Sequence, residues 1–386
     1  MKKSLVMIWM LLLAFSCQMT ADNNQAASAN LLNAAPAKKK ARIQVALLLD
    51  TSNSIDGLIN QAKSQLWKMV NELATSTKYG ETPDIELALY DYGNSGIPAN
   101  TGYVRQISPF TADLDLVSER LFSLSTSGGD EYCGKVILTA VNDLEWSDSN
   151  ADLKMIFIAG NEPFTQGPID YKDACQMAIK NSIIVNTIHC GDYETGVQTS
   201  WKDGADLADG KYLNINQDDE VVHISTPFDE EILKLNGSLN QTYIGFNNQS
   251  ASRMEMQAAQ DTNAANYGSG NSVERAVSKS KKMYNNASWD LVDAYEEDAE
   301  VLAEVEEEAL PEEMKDLDEK ERKVYIEEKK AEREKIQTEI SELNKKREAY
   351  IAKEREKNAE TMTLDNVMLK TVREQAVNKS FKFEEN

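Results

Sequence analysis

The chain has few residues of the types that usually hold zinc. Among its 386 residues there are two histidines and four cysteines, and no two cysteines are spaced as CxxC. A structural zinc site takes four thiolate or imidazole ligands in most proteins, so this class of site is disfavoured. His189 lies in an apolar strand pattern, and we expect both His189 and His223 to be buried structural residues.

The signatures of several common enzymes are also missing. The sequence contains no GxxxxGK[ST] phosphate-binding loop and no GxSxG nucleophile elbow. Cys133, Cys175 and Cys190 could be nucleophiles in principle. Cys190 directly follows His189, however, and adjacent residues of a strand point to opposite faces. The sequence therefore predicts a protein that is not an enzyme.

Basic residues are outnumbered by acidic ones. The chain has 41 Lys and Arg against 64 Asp and Glu, which gives a formal net charge of -23 at pH 7. Such a balance disfavours nucleic acid and anionic lipid as general partners, and it favours the attraction of cations. We expect no nucleic-acid partner, and membrane contact only through an anchor.

The amino terminus predicts an exported protein. Lys2 and Lys3 precede "SLVMIWMLLLAF", an apolar run too short for a stable spanning helix but suited to a secretory signal. The run ends in "LAFSC", which resembles the lipoprotein box of bacteria, so residues 1–17 are predicted to be a lipoprotein signal with Cys17 as the lipidated residue. An ordinary signal cleaved nearby is the alternative. Residues 18–42 are predicted to be a flexible linker from the membrane of the cell envelope to the folded domain.

From residue 43 onward, apolar strands alternate with amphipathic helices. "IQVALLLD" is a continuous apolar run typical of a strand covered on both faces, and "GLINQAKSQLWKMVNELA" follows with apolar residues at helical spacing. The cycle repeats as far as residue 235. This order predicts an α/β fold with a doubly wound, mainly parallel sheet of Rossmann-like type, followed by an α-helical C-terminal region with a long helix.

Oxygen-bearing side chains follow the first strand. Asp50 ends "IQVALLLD", and Ser52 and Ser54 come two and four residues later. Side chains two apart in an extended segment point the same way, so these three can converge just beyond the sheet. A carboxylate and two hydroxyls are hard donors of the type that Mg²⁺, Ca²⁺ or Mn²⁺ takes. The alternative is a turn whose hydroxyls cap the next helix.

These residues carry a resemblance to a known family. "DTSNS" matches the DxSxS signature of the von Willebrand factor type A (VWA) domain, and residues 43–235 are similar to that family in the order of strands and helices. The resemblance implies a metal ion-dependent adhesion site at the top of the sheet, with Asp50, Ser52 and Ser54 as ligands.

The same resemblance implies further ligands from two loops. A third loop supplies a Thr or Asp in the family, and "STSGGDEYCGKVI" falls at its place, with Asp130 as the natural candidate and Glu131 as a weaker one. The family's TDGEP segment reads "AGNEP" here, so Gly160 or Asn161 replaces the usual aspartate. Asn161 and Glu162 are weaker candidates for that role.

The resemblance also implies binding rather than turnover. A divalent ion in such a site keeps an exchangeable water, which a Glu or Asp of a partner protein can replace. We therefore expect a metal-dependent adhesion or scaffold module at the cell envelope. The alternative function is a metal-free envelope scaffold that assembles through its long helix.

The chain changes character beyond residue 235. Residues 236–310 are polar and then acidic and are predicted to be a helical linker region, 311–360 a long charged helix, and 361–386 a C-terminal helix and tail. The long helix is predicted either to form a coiled coil that makes a homo-oligomer or to lie back on a neighbour. Its thin apolar stripe has an imperfect heptad and comprises Leu317, Val324, Ala331, Ile336, Ile340, Leu343 and Tyr350.

If Cys17 carries lipid, three cysteines remain, and they cannot all pair within one chain. A disulfide between Cys175 and Cys190 is one pairing, because the helix that carries Cys175 precedes the strand that ends at Cys190. A bond between Cys133 and Cys190 is the rival pairing.

Overall fold

The computed structural model describes residues 40–53, 56–215, 223–358 and 364–383. The predicted signal, Cys17 and all but the last three residues of the predicted linker lie outside the described residues, and so does Ser54. The predictions for these residues stay predictions. None of the described helices is both long enough and apolar enough to span a bilayer.

The described residues form strands and helices in alternation, followed by a run of helices. The strands are β1 (Arg42–Asp50), β2 (Ser76–Thr77), β3 (Asp84–Tyr92), β4 (Val104–Thr111), β5 (Leu153–Gly160), β6 (Ile184–Cys190), β7 (Tyr212–Ile215) and β8 (Lys382–Phe383). The first helices are α1 (Asp56–Ala74), α2 (Leu114–Phe122), α3 (Cys133–Asp143), α4 (Tyr171–Lys180), α5 (Tyr193–Gln198) and α6 (Trp201–Leu207). The later helices are α7 (Asp229–Asn240), α8 (Ser250–Asn266), α9 (Ser269–Lys279), α10 (Leu291–Glu297), α11 (Val301–Glu304), α12 (Glu312–Lys315), α13 (Glu319–Asn358) and α14 (Leu364–Asn378).

The main sheet has the order β4-β3-β1-β5-β6-β7. Only β4 runs antiparallel to its neighbour, β3, and the other neighbours pair in parallel. The predicted doubly wound, mainly parallel sheet is therefore confirmed. The chain passes from β1 to β3 on one side and later to β5 on the other, so β1 lies where the winding reverses. Crevices that bind ligands form at the carboxyl ends of strands at such a point.

Helices cover both faces of the sheet. On one face α1, α2 and α14 bury Trp67, Val117 and Val372 against odd-numbered residues of β1, such as Leu47. On the other face α3, α4 and α6 pack on Leu48 and the even-numbered residues. This double cover explains why every residue of β5 is buried and why its sequence is apolar except at Lys154.

Residues 236–310 are a packed layer and not the predicted linker. Val273, Ala276 and Val277 of α9 belong to the same buried cluster as α1 and the sheet, and α7 and α8 contact α9. The polar composition suggested solvation, but many of these polar groups are buried in pairs: Asn71 on α1 donates to the carbonyl of Glu274 on α9 at 2.9 Å. The folded unit therefore extends well beyond residue 235.

The last helix, α14, covers the same face of the sheet as α1 and α2. Helix α14 contacts α1 and β7, and its Gln375 exchanges two hydrogen bonds with Asn186 of β6, at 3.0 and 2.7 Å. The two-residue strand β8, which follows α14, pairs with β2, the short strand directly after α1. The C-terminal end of the chain thus covers part of the sheet that its first half builds.

The long helix α13 lies back on its neighbours. Ile336 and Ile340 are buried in the main core, and Arg333 donates to Asp290 Oδ2 at 2.6 Å and to the Thr242 carbonyl at 2.7 Å. Of the two predictions for the apolar stripe, packing within the chain holds for its central residues. Val324, near the start of the helix, remains 57% exposed.

A buried ion network joins the C-terminal helices to the α/β layers. Arg275 of α9 donates to Asp115 of α2 at 2.7 Å, and Lys279 donates to Asp261 of α8 at 2.9 Å. Burial alone raises the pKa of Asp261, but the attraction of Arg275 and Lys279 outweighs it and lowers this pKa to about 2. For Lys279 burial prevails, and its pKa falls to about 8 in spite of its pairing with Asp261.

Asp261→Asn should destabilise the protein in a manner that depends on pH. Because folding lowers the pKa of Asp261 from 3.8 to about 2, its stabilisation is complete above pH 4 and is lost as the pH falls toward 2. We expect a loss of about 2 kcal/mol in the free energy of unfolding at neutral pH and a smaller loss near pH 2, measured by urea unfolding. The control is Asp206→Asn, which breaks a surface pair with Lys202 and should change little at either pH. Equal losses at both pH values would contradict the account.

The three cysteines among the described residues are separate buried thiols, and neither predicted disulfide is present. Cys190 has the same strand parity as Ile188 and faces the layer of α1, whereas Cys133 and Cys175 face the opposite layer. Either pairing would have to cross the sheet. Cys175 instead donates to the Gly204 carbonyl at 3.4 Å.

Candidate metal site

The candidate site lies at the carboxyl ends of β1, β3 and β5, beside the loop 123–132 that precedes α3. The chain leaves β1 at Asp50, and Thr51 donates its N–H to the Tyr92 carbonyl at 2.8 Å. Ser127 in turn donates its N–H to the Thr51 carbonyl at 2.9 Å. These bonds fix the turn after β1 against both the end of β3 and the loop before α3.

Asp50 is fully buried and only half satisfied. Its Oδ1 accepts a hydrogen bond from the Ser52 N–H at 2.7 Å, while its Oδ2 has no hydrogen-bond partner among the described residues. Burial, and then the neighbouring Glu131 carboxyl, raise the pKa of Asp50 well above its usual value. The backbone N–H and the hydroxyl of Ser52 act in the opposite direction. A buried carboxylate with a free oxygen is costly unless something positive or a proton lies against it.

The second carboxylate of the site is Glu131 and not Asp130. Glu131 is 3% exposed and lies within hydrogen-bonding reach of Asp50, and its Oε2 is buried without a partner among the described residues. Its backbone N–H donates to Gln166 Oε1 at 2.7 Å, which holds the loop in place. Asp130 is exposed and accepts a hydrogen bond from the Tyr132 hydroxyl at 3.1 Å. The preference for Asp130 over Glu131 is therefore corrected, because Asp130 points to solvent.

Two glycines let the loops approach each other at the site. Gly93 has a φ of +77°, and a Cβ on it would lie 2.7 Å from Asp50 Oδ1 and 2.8 Å from Glu131 Cγ. A Cβ on Gly129 would lie 2.7 Å from the Gly93 carbonyl oxygen. Both distances are shorter than real Cβ contacts, so the facing of Asp50 and Glu131 requires glycine at 93 and at 129.

The β5 side of the site carries no acidic side chain close to Asp50. A Cβ on Gly160 would lie 2.5 Å from the Tyr92 hydroxyl and 3.2 Å from Asp50 Oδ2, so position 160 has no room for a larger side chain. The Tyr92 hydroxyl donates to the Ala159 carbonyl at 3.0 Å. Asn161 and Glu162 follow at the rim and are half-buried, and the Glu162 carbonyl accepts from the Trp201 ring at 2.8 Å.

The donor set suits a hard cation. Asp50 and Glu131 each offer a buried oxygen that has no hydrogen-bond partner in the residues the structure describes, and the Ser52 hydroxyl lies beside Asp50. Carboxylate and hydroxyl oxygens are the ligands that Mg²⁺ and Ca²⁺ prefer. The described residues contain no group of three or more His, Cys, Asp and Glu that could hold a metal. A cation here would therefore depend on hydroxyl, water or partner oxygens to complete its ligands.

The two thiols and the histidine near the site are held in their neutral forms. Burial raises the pKa of Cys133 and of Cys190 well above the usual value, so both stay protonated at neutral pH. Burial lowers the pKa of His189, which favours its neutral form. As predicted, His189 is buried in the fold, where its ring packs on Trp201 at 5.7 Å. None of the three is poised as a nucleophile or as a charged acid.

Residues 44–205 match the family model of the von Willebrand factor type A domain. The chain carries a VWA domain. Strands β3 to β6, most of β1, Asp50 and Ser52 lie within the matched residues. The remaining helices, α7 to α14, lie outside the matched residues, although they pack on the VWA domain. The chain matches no curated protein sequence.

Several solved structures are similar to part of this chain at low sequence identity. BatB from Bacteroides thetaiotaomicron is 15% identical over 45% of this chain and 90% of its own, with a TM-score of 0.34. The SpRpn10 VWA domain is 16% identical over 45% and 87%, also with a TM-score of 0.34. The pilus adhesin SpaC from Lactobacillus rhamnosus GG is 11% identical over 47% and 29%, with a TM-score of 0.35. These similarities concern the fold alone.

Proposed function

We propose that this protein is a non-enzymatic binding module whose VWA domain recognises a partner protein through a divalent cation. Asp50, Ser52 and Glu131 would hold the cation, with Ser54 as the further hydroxyl that the family signature implies. When bound, the cation would supply an open coordination position for a Glu or Asp of the partner. The observation that carries this proposal is the pair of buried carboxylate oxygens, on Asp50 and Glu131, that lack hydrogen-bond partners within the described part of the chain.

The charge of the site supports the proposal. In the family pattern the second carboxylate follows the strand that corresponds to β5, where this chain has Gly160. Glu131 brings a carboxyl group to the same crevice from the neighbouring loop, so the site keeps two carboxyl groups. Two carboxylates side by side without a counterion repel each other, and a divalent cation removes this repulsion.

We further propose that the module works outside the cytoplasm, anchored at the cell envelope. The support is in the sequence alone: the apolar run after Lys2 and Lys3, and Cys17 at its end. A lipid on Cys17 would tether the domain through residues 18–42. Membrane contact would then come from the anchor, while the acidic domain stays in water.

A metal-free scaffold is the second candidate, and one observation favours it. The raised pKa of Asp50 beside Glu131 allows the two carboxyls to share a proton, which would satisfy both without a cation. The proton and the cation compete for the same oxygens, so direct binding of a metal separates the two candidates.

Binding of Mn²⁺, followed by electron paramagnetic resonance of the full chain, tests the proposal. We expect the wild type to bind one Mn²⁺ that Mg²⁺ displaces, and Asp50→Ala to lose at least about tenfold in affinity, because the most buried ligand is gone. Asp130→Asn is the matched control and should bind as the wild type does, since its carboxylate faces solvent. Unchanged binding in Asp50→Ala, or no binding by the wild type, would leave the scaffold as the better account.

A further inference from the structure

A second surface of the protein lies outside the VWA segment and concentrates much of its charge. Residues 296–321 contain fourteen acidic and two basic residues, a net charge of -12 within a chain of net charge -23. Nearly all of these acidic side chains are exposed. Charge packed at this density repels itself and therefore needs support from the structure beneath it.

The acidic segment is held on an apolar base. Leu302, Leu310 and Met314 are buried in a cluster that also contains Ile326 of α13. Arg322 donates to the carbonyls of Met314 and Lys315, both at 3.1 Å. The short helices α11 and α12 are thus fixed against the start of α13, and the acidic side chains point away from this base.

A shallow groove of about 360 Å³ opens beside the acidic segment. We call it the acidic groove; its lining residues are Leu317, Lys320, Glu321, Val324, Tyr325 and Glu328. Val324 is 57% exposed and is among the most exposed large apolar side chains of the described residues. Leu317 and Tyr325 are partly buried and join Val324 to the cluster below. The groove therefore offers an apolar strip with carboxylates at its edge.

We infer that the acidic groove docks a basic amphipathic helix of a partner protein. The apolar face of such a helix would cover Val324, Leu317 and Tyr325, and its Lys or Arg residues would meet the carboxylates of the segment 296–321. The charge excludes the other occupants of an apolar strip: a second copy would bring the same net charge of -12 to the same place, and an anionic lipid surface would be repelled. This surface needs no cation and is separate from the site at Asp50.

Two synthetic peptides of about 18 residues test the inference. Both contain the same Leu and Lys residues, but one has them at amphipathic helical spacing and the other is scrambled. Fluorescence anisotropy with the full chain, in the presence of chelator, should show the amphipathic peptide binding at least about tenfold more tightly than the scrambled one. Its affinity should also fall as salt rises from about 0.05 to about 0.5 M, because the screening length shortens.

The decisive variant is Val324→Gln, which removes the exposed apolar side chain and keeps charge and helix propensity. We expect it to weaken the amphipathic peptide about tenfold. Val377→Gln is the matched control, since Val377 is 54% exposed on α14, and it should leave binding unchanged. The inference fails if the scrambled peptide binds equally well or if both variants behave alike. It also fails if sedimentation shows a wild-type dimer that Val324→Gln abolishes, because a second copy would then fill the groove.

Discussion

Val372→Asp should leave the protein largely unfolded or strongly destabilised. Val372 of α14 is fully buried in the layer that also contains α1, so the new carboxylate would lie in the core without a partner. An unpaired buried charge costs roughly 3 kcal/mol or more, which corresponds to a fall of at least about 4 °C in Tm for a chain of this size. Thermal unfolding of the full chain, followed by circular dichroism, measures the effect.

The same substitution at Val377 is the control. Val377 lies five residues further along α14 and is 54% exposed, so Val377→Asp should keep the wild-type Tm within about 1 °C. If both variants melted alike, α14 would not be part of the core. In that case a chain that ends at residue 363 would also remain soluble and folded. We expect this shortened chain to aggregate instead, because the sheet would be uncovered over β6 and β7.

The central strands β1 and β5 of the VWA domain could be predicted because they are buried on both faces. Such strands are continuous apolar runs, and β1 and β5 are distinct from the amphipathic helices around them. The turn after β1 could also be predicted from the sequence, since Asp50 and Ser52 are polar residues at the end of an apolar run. This kind of information is local, so the sequence carries it without knowledge of the fold.

The choice between Asp130 and Glu131 could not be made in the same way. Both are acidic, adjacent and in a loop, where no periodicity tells which side chain faces inward. The close approach of Gly129 to the Gly93 carbonyl sets the path of the loop, and these residues are distant in sequence. Two glycines before an acidic pair indicate a tight loop, but its direction depends on the strand beside it.

The packed layer formed by 236–310 was missed for a different reason. Its helices are polar, and polar helices are usually solvated. Here Arg275 and Lys279 are buried because Asp115 and Asp261 neutralise them, and Arg333 is buried against Asp290 in the same manner. Such pairs join residues that are far apart in the chain, so their partners cannot be recognised from composition.

Glu131→Gln should stabilise the metal-free protein and weaken its response to metal. In the wild type the pKa of Asp50 is higher in the folded than in the unfolded state. The free energy of unfolding therefore falls as the pH rises from 3.8 through the raised pKa, and the whole loss is present above that pKa. The Gln amide removes one negative charge and can donate to Asp50 Oδ2. We expect the free energy of unfolding in chelator to rise by roughly 1 kcal/mol at neutral pH, and the difference from the wild type to shrink toward pH 4, where Asp50 is protonated.

Excess Mg²⁺ should reverse the order of the two proteins. At a concentration about a hundredfold above its dissociation constant, the cation would stabilise the wild type by about 2.7 kcal/mol, or about 3 °C in Tm. Glu131→Gln should gain less than half of this, because it lacks the second carboxylate. Asp130→Asn makes the equivalent change one residue earlier and should follow the wild type in both conditions. If Glu131→Gln is more stable than the wild type only without metal, Glu131 is a cation ligand, since a merely structural carboxylate would change the stability equally in both conditions. An equal change in stability with and without Mg²⁺ would instead mean that the buried pair shares a proton.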